Sequence, residues 1–354
     1  MKYFLIVALL MVSLWGGDFE KGKKAYDNKN YKKAIKLFKI SANQGNVGAQ
    51  FYLGDMFFDG KGVEQNKQEA IKWYRLSATQ GNANAQYFLG VLYYIGVDLA
   101  TNYQEAIKWY TLAANQGNID AQLNLGMMYE NGKGVTQNYQ EAIKWYTLAA
   151  NQGYVYAQHN LGMIYKNGKG ITKNYQEAVR WFTLAADQGN VEAQFYLGNM
   201  FFDGQGVTQN YQEAIKWYTL AANQGHEDAQ FNLGIMYDNG KGVEQNKQEA
   251  VKWWMLSANQ GQAYAQYNLG NMYRMGRGVT QDYQEAFKWF TLSANQGNAF
   301  GQLNLGLMYV NGESVEQNTI KAYELWNKSA QQGNSTAQDN LDVLCKESPW
   351  ACKK

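Results

Sequence analysis

The sequence predicts an all-α fold: a right-handed α/α superhelical solenoid of about nine stacked helix pairs. The first observation is self-similarity, because the same blocks return every 36 residues without an insertion. The second is that each unit contains two segments whose apolar residues follow helical spacing. The third is that the 354 residues include one proline, Pro349, where average usage of ~5% would give about 17. A chain of this length without proline-containing linkers is typical of one continuous array.

Three short blocks mark the repeat. A glycine preceded by glutamine closes each unit, at Gly45, Gly81, Gly117, Gly153, Gly189, Gly225, Gly261, Gly297 and Gly333. An Ala-Gln pair follows, and then a Leu-Gly pair, as in Ala121-Gln122 and Leu125-Gly126. The second half of the unit reads Tyr-Gln-Glu-Ala-Ile-Lys-Trp-Tyr-Thr-Leu-Ala-Ala, as in residues 139–150. Such regularity indicates one supersecondary unit repeated along the chain.

Each unit contains two amphipathic helical patterns. The first stripe consists of Ala121, Leu125, Met128 and Tyr129, and the second of Ala142, Trp145, Tyr146 and Ala149. Asn118 and Asn138 stand where N-caps are expected. Two glycines between the stripes, Gly132 and Gly134, are expected to supply positive φ for a helix C-cap and a sharp turn. The small residues of both stripes predict close helix approach within a unit, while Trp145 and Tyr129 fill the space between units.

These blocks resemble the Sel-one-like repeat family, a branch of the tetratricopeptide-like α-solenoids. The matching pattern is Ala-x3-Leu-Gly-x2-Tyr, then Gly-x-Gly-Val, then Glu-Ala-x2-Trp-Tyr-x2-Ala-Ala, and it implies eight repeats over residues 46–333. We interpret residues 18–45 as a tetratricopeptide-like N-terminal capping unit, because its helices are joined without paired glycines. Residues 334–354 are interpreted as a C-terminal capping helix and tail. Asp98 and Ser314 replace the second loop glycine, so those two loops are expected to be shaped differently.

The first 17 residues have the pattern of a secretory signal peptide. Lys2 precedes an uncharged run from Tyr3 to Trp15, which Gly16 and Gly17 follow. The run is shorter than the ~20 residues of a spanning helix, so we predict no membrane span after signal removal and an exported, periplasmic or secreted protein. An uncleaved anchor or a buried N-terminal helix is the alternative, because Leu14 or Trp15 fits the cleavage site poorly.

The two cysteines, Cys345 and Cys352, both lie near the C-terminus. An even count in an exported chain favours a disulfide bond. The loop it closes is short, so by loop entropy it would contribute at most ~2–3 kcal/mol, as a clip on the last helix. Two free thiols on a frayed tail are the alternative.

Composition and motifs argue against several classes of function. The net charge is +2, with 32 basic and 30 acidic residues interleaved, unlike the basic footprint of a nucleic-acid binder. His159 and His226 stand at unlike positions of different units, without partners at metal-ligand spacing. No Ser-x-x-Lys, Gly-x-Ser-x-Gly or His-Glu-x-x-His motif occurs. We therefore predict that the protein is not an enzyme and has no cofactor or metal.

The candidate binding residues lie on the first helix of each unit. Residues two, six and nine positions after the repeating alanine cluster within about 60° of one another, opposite the core stripe. Most are apolar or aromatic, which suggests that something covers them. Asparagines three positions after the alanine lie beside this face. From these columns we select as partner-binding residues Phe58, Tyr87, Tyr94, Asn124, Glu130, Asn160, Lys166, Phe195, Phe202, Phe231, Asp238, Tyr267 and Arg274.

Two explanations account for this face. The first helix of the next unit could bury the column two positions after the alanine. A partner is favoured for the columns at six and nine, because their chemistry ranges from Val to Asp to Lys. The asparagines could bind an extended peptide backbone or one another.

The resulting functional hypothesis is an exported scaffold or adaptor that holds a protein or peptide in the concave groove which solenoids of this family line with their first helices. One alternative is a β-lactamase-like hydrolase, a label given to cysteine-rich relatives in the family. This chain lacks both their cysteine pair in each unit and a serine-lysine motif. Another alternative is a cell-envelope module that binds glycans on aromatic side chains.

Overall fold

The computed structural model describes residues 17–97 and 99–352. It divides into two compact units, one up to Lys173 and one from Asn174. From here on, a unit is one of these two parts of the chain, and a repeat is one 36-residue helix pair. Residues 1–16 of the predicted signal peptide, and Asp98 in the loop between Ile95 and Tyr103, lie outside the described residues. Every regular element in the described ranges is helical, and no strand occurs there. The predicted all-α solenoid of repeated helix pairs is confirmed.

The first unit contains helices α1 to α9. Their bounds are 17–27, Tyr31–Asn43, Val47–Asp59, Lys67–Thr79, Ala83–Ile95, Tyr103–Asn115, Ile119–Asn131, Tyr139–Asn151 and Val155–Asn167. The second unit contains α10 to α19, with bounds Tyr175–Asp187, Val191–Asp203, Tyr211–Asn223, Glu227–Asn239, Lys247–Asn259, Ala263–Met275, Tyr283–Asn295, Ala299–Asn311, Thr319–Gln331 and Ser335–Glu347.

Side-chain caps and glycines set the ends of the helices. Asn118 accepts a hydrogen bond from the backbone N–H of Ala121 at the start of α7, and Asn138 caps α8 in the same way. Gly132 ends α7 with φ +67°, a conformation that costs an L-residue about 1–2 kcal/mol. The predicted N-caps and the predicted positive φ of the loop glycines are confirmed.

The second loop glycine is required by a contact between repeats. A Cβ on Gly134 would lie 2.5 Å from the Cβ of Tyr103, the first residue of the preceding second helix. The loop therefore packs directly on its neighbour. Ser314 occupies the matching position in the second unit and keeps a positive φ of 62°, so its backbone has the glycine conformation despite the side chain.

Close approach within each helix pair also depends on glycine. A Cβ on Gly126 would lie 2.4 Å from the ring of Tyr146, and Tyr146 itself is fully buried. Around this contact pack Ala121, Leu125 and Met128, all within 1% of complete burial. The core therefore runs between paired helices and continues to the next pair, as the two stripes predicted.

The two ends of the described chain differ from the repeats. At the C-terminus, Cys345 and Cys352 form the predicted disulfide bond, which clips the tail to α19 and leaves Ala351 only 6% exposed. At the N-terminus, α1 and α2 are joined without paired glycines, and Lys29 takes the positive φ of 58°.

Candidate partner-binding face of the first helices

All thirteen sequence-predicted partner-binding residues are half-buried, none fully exposed and none fully buried. They lie on α3, α5, α7 and α9 in the first unit and on α11, α13 and α15 in the second. We call the side of these helices that carries the second, sixth and ninth residues after the repeating alanine the first-helix face. Its half-burial means that neighbouring side chains already cover part of each residue.

The aromatic residues two positions after the repeating alanine contact the following repeat. The Phe195 ring stacks on the imidazole of His226 with centroids 4.3 Å apart. Tyr267 lies 5.5 Å from Phe300, and Phe231 lies 6.3 Å from Tyr264. Packing between repeats therefore accounts for much of the apolar character of Phe195, Phe231 and Tyr267.

Several residues nine positions after the repeating alanine contact a side chain in the loop of the next repeat, 39 residues further along the chain. In the first unit, Lys133 Nζ donates to the Tyr94 hydroxyl at 2.8 Å, and Lys169 forms an ion pair with Glu130 at 3.2 Å. In the second unit, Lys241 lies 5.2 Å from the ring centroid of Phe202. Arg274, also in the second unit, forms an ion pair with Glu313 at 2.8 Å. Its cation lies on the helix and its anion on the loop, the reverse of Glu130 and Lys169. At these four positions, the varied chemistry of the column is therefore matched by a residue of the following loop.

Two other ninth-position residues contact the first residue of the second helix in their own repeat. Lys67 Nζ lies 6.0 Å from the Phe58 ring centroid. Lys247 Nζ donates to both the carboxylate and the backbone carbonyl of Asp238 at 2.7 Å. Sequence reasoning missed both kinds of pairing. The pairing with the next loop could have been found from the sequence, because opposite charges, or a cation and an aromatic residue, stand 39 residues apart.

The asparagines beside the face serve buried tyrosines. Asn124 lowers the pKa of the Tyr87 and Tyr110 hydroxyls by hydrogen bonding, and Asn160 does the same for Tyr146. The Tyr146 hydroxyl also donates a hydrogen bond to the Glu130 carboxylate at 2.8 Å. Burial raises the pKa of Tyr110 and of Tyr146 well above its usual range, and each asparagine partly offsets this. These amides are therefore engaged within the array, where they keep buried hydroxyl groups satisfied.

Asp55, six residues after the repeating Ala49 on α3, is an unusual carboxyl group on this face. Burial raises its pKa to about 6, although the Tyr74 hydroxyl donates a hydrogen bond to it at 2.7 Å. In the second unit the matching pair is Tyr218 and Asn199, at 2.6 Å, with a neutral acceptor. The carboxylate of Asp55 thus carries a desolvation cost that Asn199 avoids.

A small pocket opens on the first-helix face of the first unit. Its volume is about 60 Å³, and its lining residues are Tyr94, Tyr110, Asn124, Met127 and Met128. Met127 is 40% exposed at its rim, whereas Tyr110 and Met128 are buried beneath it. The structure therefore brings together two predicted residues, Tyr94 and Asn124, around an apolar opening of side-chain size.

The described residues offer no alternative centre of metal chemistry. Within residues 17–97 and 99–352 no group of three His, Cys, Asp or Glu side chains is placed to hold a metal ion. His226 instead accepts a hydrogen bond from the Ala229 backbone N–H as the N-cap of α13. In the same ranges, no helix combines the length and the hydropathy needed to cross a membrane.

Comparisons with known proteins agree with this architecture. The Sel1 repeat model matches nine consecutive segments, at residues 19–46, 47–82, 83–118, 119–154, 155–190, 191–226, 227–262, 263–298 and 299–334. The first of these overlaps the segment interpreted as the N-terminal capping unit. No curated protein matches the chain.

Two solved structures are similar over most of this chain. One is c5321, described as a protective antigen present in uropathogenic Escherichia coli strains and displaying an SLR fold. It is 31% identical with a TM-score of 0.78, over 92% of this chain and 79% of that one. The other is a Sel1 repeat protein from Oxalobacter formigenes, 36% identical with a TM-score of 0.69, over 88% of this chain and 90% of that one.

Proposed function

The chain belongs to the Sel1 repeat family, and we propose that it is an exported scaffold that binds an extended protein or peptide segment along its first-helix face. Sel1 repeat proteins are typically scaffolds for protein–protein interaction. The single observation that carries the proposal is the pocket between Tyr94 and Met127 in the first unit. It is an apolar opening on a face where several other side chains, such as Glu130, Phe202 and Arg274, are engaged with neighbouring loops.

The pocket is rigid on one side and adaptable on the other. Lys133 holds the Tyr94 ring from outside through its hydroxyl group, and Tyr110 is fixed by burial. Met127 is unbranched and exposed, so it can adjust to the shape of the ligand. A preorganised wall lowers the entropic cost of binding. The volume of about 60 Å³ suits one small aliphatic side chain.

Polar groups surround this opening as expected for the rim of an interface. Glu130 lies one turn after Met127 on α7 and pairs with Lys169 of the loop after α9, and Asn124 lines the pocket. A partner segment would therefore place an aliphatic residue at Tyr94 and Met127 and polar groups toward Glu130. In the second unit, Phe202 and Asp238 hold the corresponding positions of their own face.

Export is part of the proposal and has two supports. The disulfide bond between Cys345 and Cys352 is of a kind that persists in oxidising compartments. The similar Escherichia coli protein is described as a protective antigen. The proposed N-terminal signal peptide, residues 1–17, is consistent with both.

Selection from a random peptide library displayed on phage tests the proposed function. The full chain serves as bait, beside the variants Met127→Glu and Leu148→Glu. Leu148 is the matched control, because it is 42% exposed on the second helix of the same repeat while Met127 is 40% exposed on the first. We expect peptides with one small aliphatic position to be enriched on the wild type and on Leu148→Glu, but not on Met127→Glu. Equal enrichment on all three chains would remove the basis of the proposal.

A further inference from the structure

The N-terminal helix pair carries a charge surplus that the overall net charge hides. Residues 18–45 contain eight lysines and three acidic residues, a net charge of +5. The rest of the chain from residue 46 contains 23 basic and 27 acidic residues, a net charge of −4. All eight lysines of the N-terminal pair are exposed. Positive charge is therefore concentrated at one end of the first unit.

Comparison with the other second helices shows that this surplus is specific to α2. In seven later second helices a glutamate pairs with a lysine or arginine three residues on, at Glu69, Glu105, Glu141, Glu177, Glu213, Glu249 and Glu285. In α2 the matching positions are Lys33 and Lys36, and the helix contains no acidic residue. The local neutralisation found along the array is thus absent here.

The lysines of α2 form one stripe opposite its buried side. At 100° per residue, Lys32, Lys33, Lys36 and Lys39 fall within about 120° of the helix circumference. Ile40 lies in the same stripe and is 48% exposed. The buried residues Ala34, Ile35, Phe38, Ser41 and Ala42 occupy the other side. The stripe is therefore a surface of ammonium groups around an aliphatic side chain.

We propose that this lysine stripe docks the N-terminal pair on an anionic phospholipid surface. Lysines attract anionic headgroups by about 1 kcal/mol each near the surface, and exposed aliphatic side chains add interfacial contact. The stripe contains neither arginine nor an exposed aromatic ring, the residues that grip nucleic-acid phosphates and bases. In the sequence it also follows closely on the apolar run from Tyr3 to Trp15.

Co-sedimentation of the full chain with vesicles tests this docking. One vesicle is phosphatidylcholine alone and the other contains about 30% phosphatidylglycerol, so the excess bound to the second isolates the electrostatic part. The test variant is Lys32→Gln/Lys36→Gln/Lys39→Gln. The control is Lys72→Gln/Lys108→Gln/Lys144→Gln, which removes the same charge from exposed lysines of later second helices. The corresponding Lys→Arg triple in α2 shows whether charge alone suffices.

We expect the wild type to bind phosphatidylglycerol vesicles in excess, more weakly at high salt. The α2 glutamine variant should lose that excess about ten- to hundredfold, while the control and the arginine variant keep it. No excess for the wild type, or an equal loss in the control, overturns the proposal. Binding to a DNA duplex through the same lysines without any vesicle excess also overturns it, in favour of a nucleic-acid surface.

Discussion

The Nε2 nitrogen of Gln152 donates a hydrogen bond to the Oε1 oxygen of Gln122 at 2.8 Å. Gln122 is only 3% exposed, and its own Nε2 donates to the backbone carbonyl of Ala114 in the preceding repeat at 3.0 Å. One buried side chain thereby joins the end of one second helix to the end of the next. This chain of hydrogen bonds explains why both glutamines return in every repeat.

Replacement of Gln122 by methionine should destabilise the protein by about 1–3 kcal/mol. The change preserves volume but removes two buried hydrogen bonds, each of which contributes about 0.5–1.5 kcal/mol. The Ala114 carbonyl keeps the Gly117 N–H as a donor, and the Gln152 amide keeps the Gly117 carbonyl as an acceptor. Urea unfolding of Gln122→Met, Gln152→Ala and the double variant measures the coupling. We expect a coupling energy of about 0.5–1.5 kcal/mol, whereas strictly additive losses would show that the hydrogen bond contributes nothing.

Substitution Gly126→Ala should cost about 2–3 kcal/mol through overpacking. The new methyl group would lie 2.4 Å from the buried ring of Tyr146, which has no room to move. Gly153→Ala is the matched control, because its φ is +88° but nothing lies within 4 Å of the added Cβ. Thermal unfolding should show a smaller loss for the control, from backbone strain alone. A similar shift in both variants would contradict the packing argument.

Stability should depend on pH through Asp55. Its folded pKa of about 6 is above the ordinary value of 3.8, so the folded chain binds this proton more tightly than the unfolded chain. The contribution of Asp55 to stability is therefore greatest at low pH and is lost as pH rises through about 6.

The substitution Asp55→Asn tests this pH dependence, because asparagine can still accept from Tyr74, as Asn199 does from Tyr218. We expect it to raise the free energy of unfolding at pH 7.5 by about 1–2 kcal/mol and by about half as much at pH 5, because the destabilisation by the charged form builds up between pH 3.8 and about 6. Asn199→Asp should do the reverse. Chemical denaturation at both pH values measures this, and a gain at pH 5 as large as at pH 7.5 would show that the carboxylate charge is not the cause.

The ion pair between Arg274 and Glu313 should tolerate an exchange of its two charges but not two charges of the same sign. Arg274 holds the pKa of Glu313 below its usual range, so the pair stabilises the fold above that pKa and is lost as the carboxylate protonates. Arg274→Glu alone places two carboxylates together and should cost about 1–2 kcal/mol. Arg274→Glu with Glu313→Lys should recover most of it, since Glu130 and Lys169 already pair in that sense. Failure of the double variant to recover would argue against pairing as the reason for the variation.

The sequence predicted the helices well because their signals are local. The period of 36 residues, the caps at Asn118 and Asn138 and the close approach at Gly126 all follow from residues within one repeat. The first-helix face was less predictable, because a helical projection gives only the direction in which a side chain points. It could not show that Tyr94 meets Lys133 of the next repeat, or that Asn124 is taken up by Tyr87 and Tyr110. These contacts depend on the offset between neighbouring pairs, which is set by packing.

Photo-crosslinking in cells tests the proposed binding face most directly. The full chain would carry benzoyl-phenylalanine in place of Met127 in one strain and of Leu148 in another, two positions of nearly equal exposure. We predict a discrete protein adduct from position 127 that is lost when Tyr94 is also replaced by alanine, and no such adduct from position 148. An adduct from position 148 with none from position 127 would place the partner on the second helices and contradict the account.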